Sequence, residues 1–115
     1  MNKRDKIILF KIVDEAAVLA QLLDSIDESA FLANEEKMRA ACMTLINIGE
    51  LVKNLNSEFR ESNQQIKWKA IAGFRDVAAH GYFTLKMDDV FMFATTKLPE
   101  IIIQIKEILD CEEIL

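Results

Sequence analysis

The sequence predicts an all-α fold, an antiparallel up-and-down bundle of four main helices with room for a short fifth, formed by residues 1–115 as one domain. Three observations carry that expectation. Apolar residues recur at three and four positions through most of the chain, the period of helix faces that meet a core. Only three glycines and one proline punctuate 115 residues, a turn-poor composition. No strand-like alternation, internal repeat or low-complexity tract competes with that period. A hydrophobic fraction of 51% beside a charged fraction of 29% describes a folded chain rather than a disordered or fibrous one. A chain of this size buries roughly two thirds of its unfolded surface, so one modest core is expected, and the surplus of apolar residues hints at a partner surface.

The elements follow in order. From Lys3 to Ile26, the residues Ile8, Ile12, Leu19, Leu22, Leu23 and Ile26 keep helical spacing, with acids and lysines on the other face. "DESAFLAN" reads as a connector, and Asn34 before Glu35 and Glu36 reads as an N-cap with dipole-friendly acids behind it. Met38, Ala41, Cys42, Leu45, Ile48, Val52 and Leu55 then hold one face, with Gly49 allowing close helix contact. "NSEFRESNQQ" breaks the pattern, with a short helical turn starting at Ser57 as an option. A third long helix is expected from Ile66 to His80, with Trp68, Ile71, Ala72, Phe74, Ala78 and Ala79 apolar and Gly81 placed as its C′ glycine. Asp88 or a neighbour opens the last helix, whose Val90, Phe91, Ala94, Leu98, Ile101, Ile102, Ile105 and Leu109 face the core. Pro99 either kinks that helix or restarts it as a first-turn residue.

Composition also excludes function classes. A net charge of −5 argues against indiscriminate nucleic-acid binding, which comes mainly from cations neutralising phosphates. Yet Arg60, Lys67, Lys69, Arg75 and Lys86 face only Glu61 and Asp76 across residues 60–86, so that window is +3 and the rest of the chain −8. A basic patch on an acidic body can receive an anion. Cys42 and Cys111 are too few and too far apart for a disulfide framework, which points to a reducing cytoplasm. The opening "MNKRDKIILFKIVDEAA" is broken by Lys11, Asp14 and Glu15 and does not read as a signal peptide; no stretch is long enough to cross a bilayer. One histidine and two distant cysteines do not make a zinc ligand set, and no glycine-rich phosphate loop or nucleophile elbow is present. No metal or cofactor is therefore expected. Asp88/Asp89 and Glu112/Glu113 read as a helix-opening pair and a solvated tail.

The scarcest chemistry collects in "RDVAAHGY", residues 75–82, which holds the only histidine and the only tyrosine. On spacing alone the octet also fits the charged end of a helix: a histidine in the last turn suits the helix dipole without any catalytic duty. The alternative is that imidazole, guanidinium and phenol form a proton-transfer group, a phosphate clamp and a positioning donor. Those are the tools of metal-free phosphodiester cleavage.

The octet resembles the Arg, four residues, His, one residue, Tyr motif of the HEPN superfamily, and in particular of HepT-like toxin ribonucleases paired with MntA-like minimal nucleotidyltransferases. "NIGELVKNL" is similar to that family's second-helix segment, "WKAIAGFRDVAAHGYF" to its motif helix and "VFMFATTKLPEI" to its Leu-Pro-containing last helix. Lys67 stands before Trp68 where relatives often carry proline. The resemblance implies a helical bundle that dimerises and places two motifs at a shared cleft. Helix geometry supplies a reason: five positions turn a side chain by about 500°, or ~140° net, and advance it about 7.5 Å, so Arg75 and His80 of one chain converge poorly. Asp76 and His80, four apart, share a face.

The resemblance further implies the toxin component of a type VII-like toxin–antitoxin pair, a metal-independent endoribonuclease acting on RNA. In that reading His80 serves as general base or acid, Arg75 stabilises the transition-state charge and Asp76 orients the imidazole or the guanidinium. Tyr82 touches phosphate or base and accepts AMP from an MntA-like nucleotidyltransferase antitoxin, which silences the enzyme. Lys67, Lys69 and Lys86 are candidate RNA contacts. The alternative is a non-catalytic helical substrate-binding or scaffold subunit of a nucleotidyltransferase, and a third is a helical oligomer without a ligand.

Overall fold

The computed structural model describes residues 1–78 and 84–114, and among them every regular element is helical. In chain order these are α1 (Lys3–Leu22), α2 (Glu28–Leu32), α3 (Glu35–Lys53), α4 (Ser57–Ser62), α5 (Trp68–Ala78), α6 (Met87–Met92), a π-helical turn (Phe93–Lys97) and α7 (Leu98–Ile114). The long helices α1, α3, α5 and the continuous α6–π–α7 rod make the expected bundle. α3 packs between α1 and α5, and α7 closes against α1.

Each start has a local cause. The Asn2 side chain accepts from the Asp5 amide at 2.7 Å to begin α1. Asn34 caps α3 as its spacing predicts, accepting from the Lys37 amide at 3.1 Å. Asn56 caps α4 through the Glu58 amide. α1 stops at Leu22 rather than continuing to Ile26 because Ser25 takes a left-handed φ of 62°, which a right-handed helix does not accommodate. Ile26 nevertheless packs at the edge of the core. The connector "DESAFLAN" is ordered as α2: the Asp27 carboxylate accepts from the Ala30 amide at 2.8 Å. Its Phe31 is fully buried, with its ring 5.2 Å from that of Phe91.

The core is the one that the apolar period draws. Ile8, Ile12, Leu19, Leu45, Ile48, Val52, Ile71, Val90, Leu98, Ile101, Ile105 and Leu109 are buried, and Leu9 joins them fully. Cys42 is buried too, its sulfur 3.7 Å from that of Met87, and burial pushes its thiol pKa up, so it behaves as a small apolar group. Pro99 falls in the first turn of α7, where the α-helix resumes after the π turn, so the first-turn reading holds while the rod stays continuous through it. A proline here would collide with the carbonyl four residues back and offers it no N–H, and the rod widens into the π turn immediately before it. Thr95 and Thr96 help satisfy the backbone there, donating to the carbonyls of Phe91 and Met92 at 2.7 and 2.5 Å.

One buried carboxyl group ties the start of the chain to the middle. Asp5 is 1% exposed and accepts from the Asn56 amide at 3.1 Å, while Arg4 donates to the Asn54 carbonyl at 2.6 Å. The first turn of α1 thereby fixes the turn from which α4 departs.

Gly49 is the closest point between α3 and α5. A Cβ placed there would lie 2.9 Å from the Ile71 carbonyl oxygen and 3.0 Å from the Arg75 Cβ. The clash is with backbone, which cannot step aside as a flexible side chain can. Gly49→Ala should therefore destabilise the fold by about 1–3 kcal/mol, as overpacking does, despite alanine's better helix propensity. Gly73→Ala on α5, where no described atom lies within 4 Å of the new Cβ, should raise stability by about 0.5–1 kcal/mol. Urea denaturation of the two variants checks both signs.

Candidate functional site

The close α3–α5 approach sets the geometry of the motif. Arg75 and Asp76 lie in the last described turn of α5, and both reach α3. Arg75 Nε donates to Glu50 Oε2 at 2.8 Å, and its Nη1 lies 3.6 Å from Asp76 Oδ1. Asp76 Oδ1 in turn accepts from Lys53 Nζ at 2.6 Å. The result is an alternating chain of charges, Glu50, Arg75, Asp76 and Lys53, with all four side chains 40–56% exposed. It is held at the surface rather than buried, so an incoming anion can reach it.

The electrostatics follow from those contacts. The hydrogen bond from Lys53, helped by the nearby Arg75, holds the Asp76 carboxyl below the usual carboxylate range. The Arg75 guanidinium is tightened on its proton, first by its hydrogen bond to Glu50 and then by that carboxylate's charge. Arginine is charged at any working pH regardless, so the consequence is positional: its Nε is tethered to Glu50.

Of the residues expected to form a site, the structure brings Arg75 and Asp76 together. His80 and Tyr82, with Gly81, lie outside the described residues. Asp76 lies beside the guanidinium, 3.6 Å from its Nη1. The +3 window does not fold as one patch. Lys67 precedes α5, and Lys69 lies in its first turn, both exposed. Lys86 is the N-cap residue of α6, next to Met87, which touches Cys42. Cys42 stands eleven positions before Lys53 on α3, a separation of about 16 Å along a helix. Lys86 and the Lys67/Lys69 pair thus sit toward opposite ends of the antiparallel α3–α5 pair, with Arg75 between them.

Sequence reasoning missed Glu50 and Lys53. Both stand in "NIGELVKNL", one and four positions beyond Gly49. The glycine was the signal: a close helix contact brings its charged neighbours within reach of the facing helix. A shallow cleft of about 410 Å³ adjoins Glu50, walled by Lys11, Asp14, Glu15 and Val18 of α1 and by Asn47 and Leu51 of α3. Val18 and Met43 are 56% and 58% exposed on these two helices, and Met43, Asn47 and Glu50 share a face of α3 by their spacing.

Comparison with known proteins gives a consistent result. The family model described as "Ribonuclease HepT-like" matches residues 12–108. A protein named as a candidate RNase from Caldanaerobacter subterraneus subsp. tengcongensis is 36% identical over 102 residues, covering 89% of this chain and 91% of that protein. One named likewise from Methanocaldococcus jannaschii is 32% identical over 115 residues, covering 98% and 99%. A protein named as a candidate HepT ribonuclease from Thermococcus cleftensis is 28% identical over 83 residues, covering 72% and 76%. No solved structure matches.

The charge chain makes a pH prediction. Because the Asp76 pKa is depressed in the folded state, its contribution is complete above the ordinary carboxylate range. It is lost only as pH falls through the depressed folded value. Carbon-detected NMR titration should find Asp76 ionising below that range, and Lys53→Met should move it back up. Overall stability should change little, since the pair is exposed.

Proposed function

The chain belongs to the HepT-like ribonuclease family, and on that premise we propose that it is an endoribonuclease using Arg75 and His80 as its catalytic pair. The observation that supports this best is the exposed Arg75 guanidinium, pinned by Glu50 beside Asp76 and Lys53 five positions ahead of the chain's only histidine. A phosphate clamp held in place before its ligand arrives is what stabilisation of a phosphorane-like transition state requires.

In this mechanism the ribose 2′-hydroxyl attacks the adjacent phosphorus while a base removes its proton. The bond from phosphorus to the 5′-oxygen then breaks, and that oxygen takes up a proton. The products are a 2′,3′-cyclic phosphate and a 5′-hydroxyl. His80, the side-chain type that ordinarily changes charge near neutrality, serves as the base or as the acid toward the leaving oxygen. Arg75 takes the charge that builds on the non-bridging oxygens. Asp76 keeps the guanidinium in register. DNA lacks the nucleophile and is inert.

The site is completed by a second copy of the chain. Arg75 is turned toward α3 by Glu50, and a residue five positions on is rotated about 140° away on a straight helix. The exposed Val18 of α1 and Met43 of α3, with the mixed polar and apolar cleft beside Glu50, supply a surface for a two-fold contact that would bring each Arg75 toward the other chain's His80. The chain acts as the toxin of a type VII-like pair. Its antitoxin, an MntA-like nucleotidyltransferase, attaches AMP to the Tyr82 hydroxyl, and the added phosphodiester and base block the phosphate position near Arg75.

Purified protein in excess chelator should cleave single-stranded RNA. His80→Ala should lower the rate about 10²–10⁴-fold and Arg75→Ala about 10²–10³-fold. Mixing the two inactive chains under subunit exchange should restore part of the activity, because heterodimers keep one intact half-site. Cleavage that survives His80→Ala removes the mechanism; no cleavage by any chain leaves a non-catalytic nucleotidyltransferase subunit as the reading.

Control is tested separately. Coexpression with a partner nucleotidyltransferase should add AMP mass to the native chain and none to Tyr82→Phe, and the modified chain should lose its ribonuclease activity. AMP retained on the Phe variant places the modification elsewhere.

A further inference from the structure

A groove larger than the cleft beside Glu50 lies away from the motif. It encloses about 670 Å³ between α4 and the start of α5, lined by Arg60, Glu61, Gln64, Lys67, Trp68 and Lys69 among others. Three of its lining side chains are cationic and one is anionic, on a body whose net charge is −5. Its walls are rigid. Trp68 Nε1 donates to the Asn63 carbonyl at 3.1 Å, and its ring packs against Phe59. α4 leaves from the turn that buried Asp5 fixes.

Two features ask for an anionic ligand. Arg60 is a part-buried cation of the lining whose Nε has no hydrogen-bond partner among the described residues, so no acceptor of the chain is spent on that nitrogen. The first turn of α5, alone among the long helices, carries no acid and carries Lys69 instead, so nothing there competes with an anion for the positive end of the helix.

The path from the groove to the motif is also open. Lys69, Gly73 and Asp76 fall at steps of four and three on α5, and so share one stripe of its surface. The seven steps from Lys69 to Asp76 rise about 10.5 Å, within reach of a short run of nucleotides. The middle of the stripe is Gly73, where no described atom lies within 4 Å of a would-be Cβ. A glycine inside a helix, where close packing among the described residues gives no reason for it, leaves a bare step between two charged ends.

We propose that this groove is a phosphate-binding subsite for single-stranded RNA, holding the substrate backbone a few nucleotides away from the scissile phosphate at Arg75, with the strand running across Gly73. The subsite rests on the ribonuclease reading for its choice of ligand, but it is tested by binding alone.

The probe is a short fluorescein-labelled single-stranded oligoribonucleotide with 2′-O-methyl riboses, which cannot be cleaved through the 2′-oxygen. Its affinity is measured by anisotropy across a salt series. Lys67→Ala/Lys69→Ala should weaken binding and make the slope of log affinity against log salt shallower by about 0.7 for each phosphate that is no longer neutralised. Gly73→Glu, which sets a carboxylate on the stripe, should weaken binding more than Gly73→Gln, which adds the same bulk without charge. An unchanged slope in the double-lysine variant overturns the subsite, as does weaker affinity at constant slope. Equal effects of Glu and Gln at position 73 overturn the path. A phosphoserine peptide that competes as well as the oligonucleotide overturns RNA as the ligand. Cleavage of an all-ribose oligonucleotide by the native chain is scored in parallel. Salt-sensitive binding through these lysines without cleavage sinks the ribonuclease reading and keeps the groove; cleavage with unchanged binding does the reverse.

Discussion

The contact at Gly49 governs what the rest of the surface can do. With only hydrogen at that position, the α3 backbone comes close enough to α5 that an added Cβ would stand 2.9 Å from the Ile71 carbonyl. At that separation side chains flanking the contact reach across, and Glu50 and Lys53 meet Arg75 and Asp76 directly. A larger residue would force the two helices to shift apart. The hydrogen bonds of 2.6–2.8 Å between them would then be strained or re-formed in another geometry. The packing requirement and the placement of the candidate clamp are one constraint.

That constraint also bears on how an acidic protein could receive a phosphate. The deficit of cations is global, but recognition is local, within a Debye length of about 8–10 Å. The fold separates the available bases into groups along the α3–α5 pair and neutralises them unequally. Arg75 and Lys53 are interleaved with Glu50 and Asp76, so their net field is small and their value lies in geometry. Arg60, Lys67 and Lys69 meet one lining carboxylate, Glu61, and so keep a field of their own. A substrate would be drawn by the second group and positioned by the first.

Much of this is legible in the sequence, and the gaps have physical causes. The four main helices and nearly all their buried positions follow from the apolar period, because a helix that covers a core cannot avoid writing that period. Asn34 and Gly49 can be read directly because a cap and a close contact each demand a particular residue. α2 escapes because five residues cannot show a period; only Asp27 and the bulk of Phe31 betray it. Ile26 looks like part of α1 because its burial is real, whereas the left-handed Ser25 that ends the helix leaves no compositional trace. Buried Asp5 reads as one of the polar residues of α1, since a carboxylate that serves a distant backbone amide looks the same in sequence as a solvated one. At the candidate site the sequence supplies Arg75 and Asp76, but their partners are 25 and 23 positions away and depend on helix pairing. The single +3 window is an artefact of counting along a chain that the fold then divides.

The held guanidinium bears most directly on chemistry. Arginine offers five N–H donors in a fixed plane; Glu50 takes the one at Nε, and Asp76 stands 3.6 Å from Nη1 without the short contact of a full hydrogen bond. A free arginine side chain loses substantial rotamer entropy when it clamps a phosphate, whereas one already tethered at Nε has given up most of that freedom on folding. The Glu50 carboxylate costs something in return, since it offsets part of the positive charge that a phosphate would feel. The balance favours the tether where the ligand's charge grows during the reaction. A donor in contact gains more from each increment of charge on the transferring phosphate than a carboxylate behind it takes back, because the carboxylate stands farther from that charge.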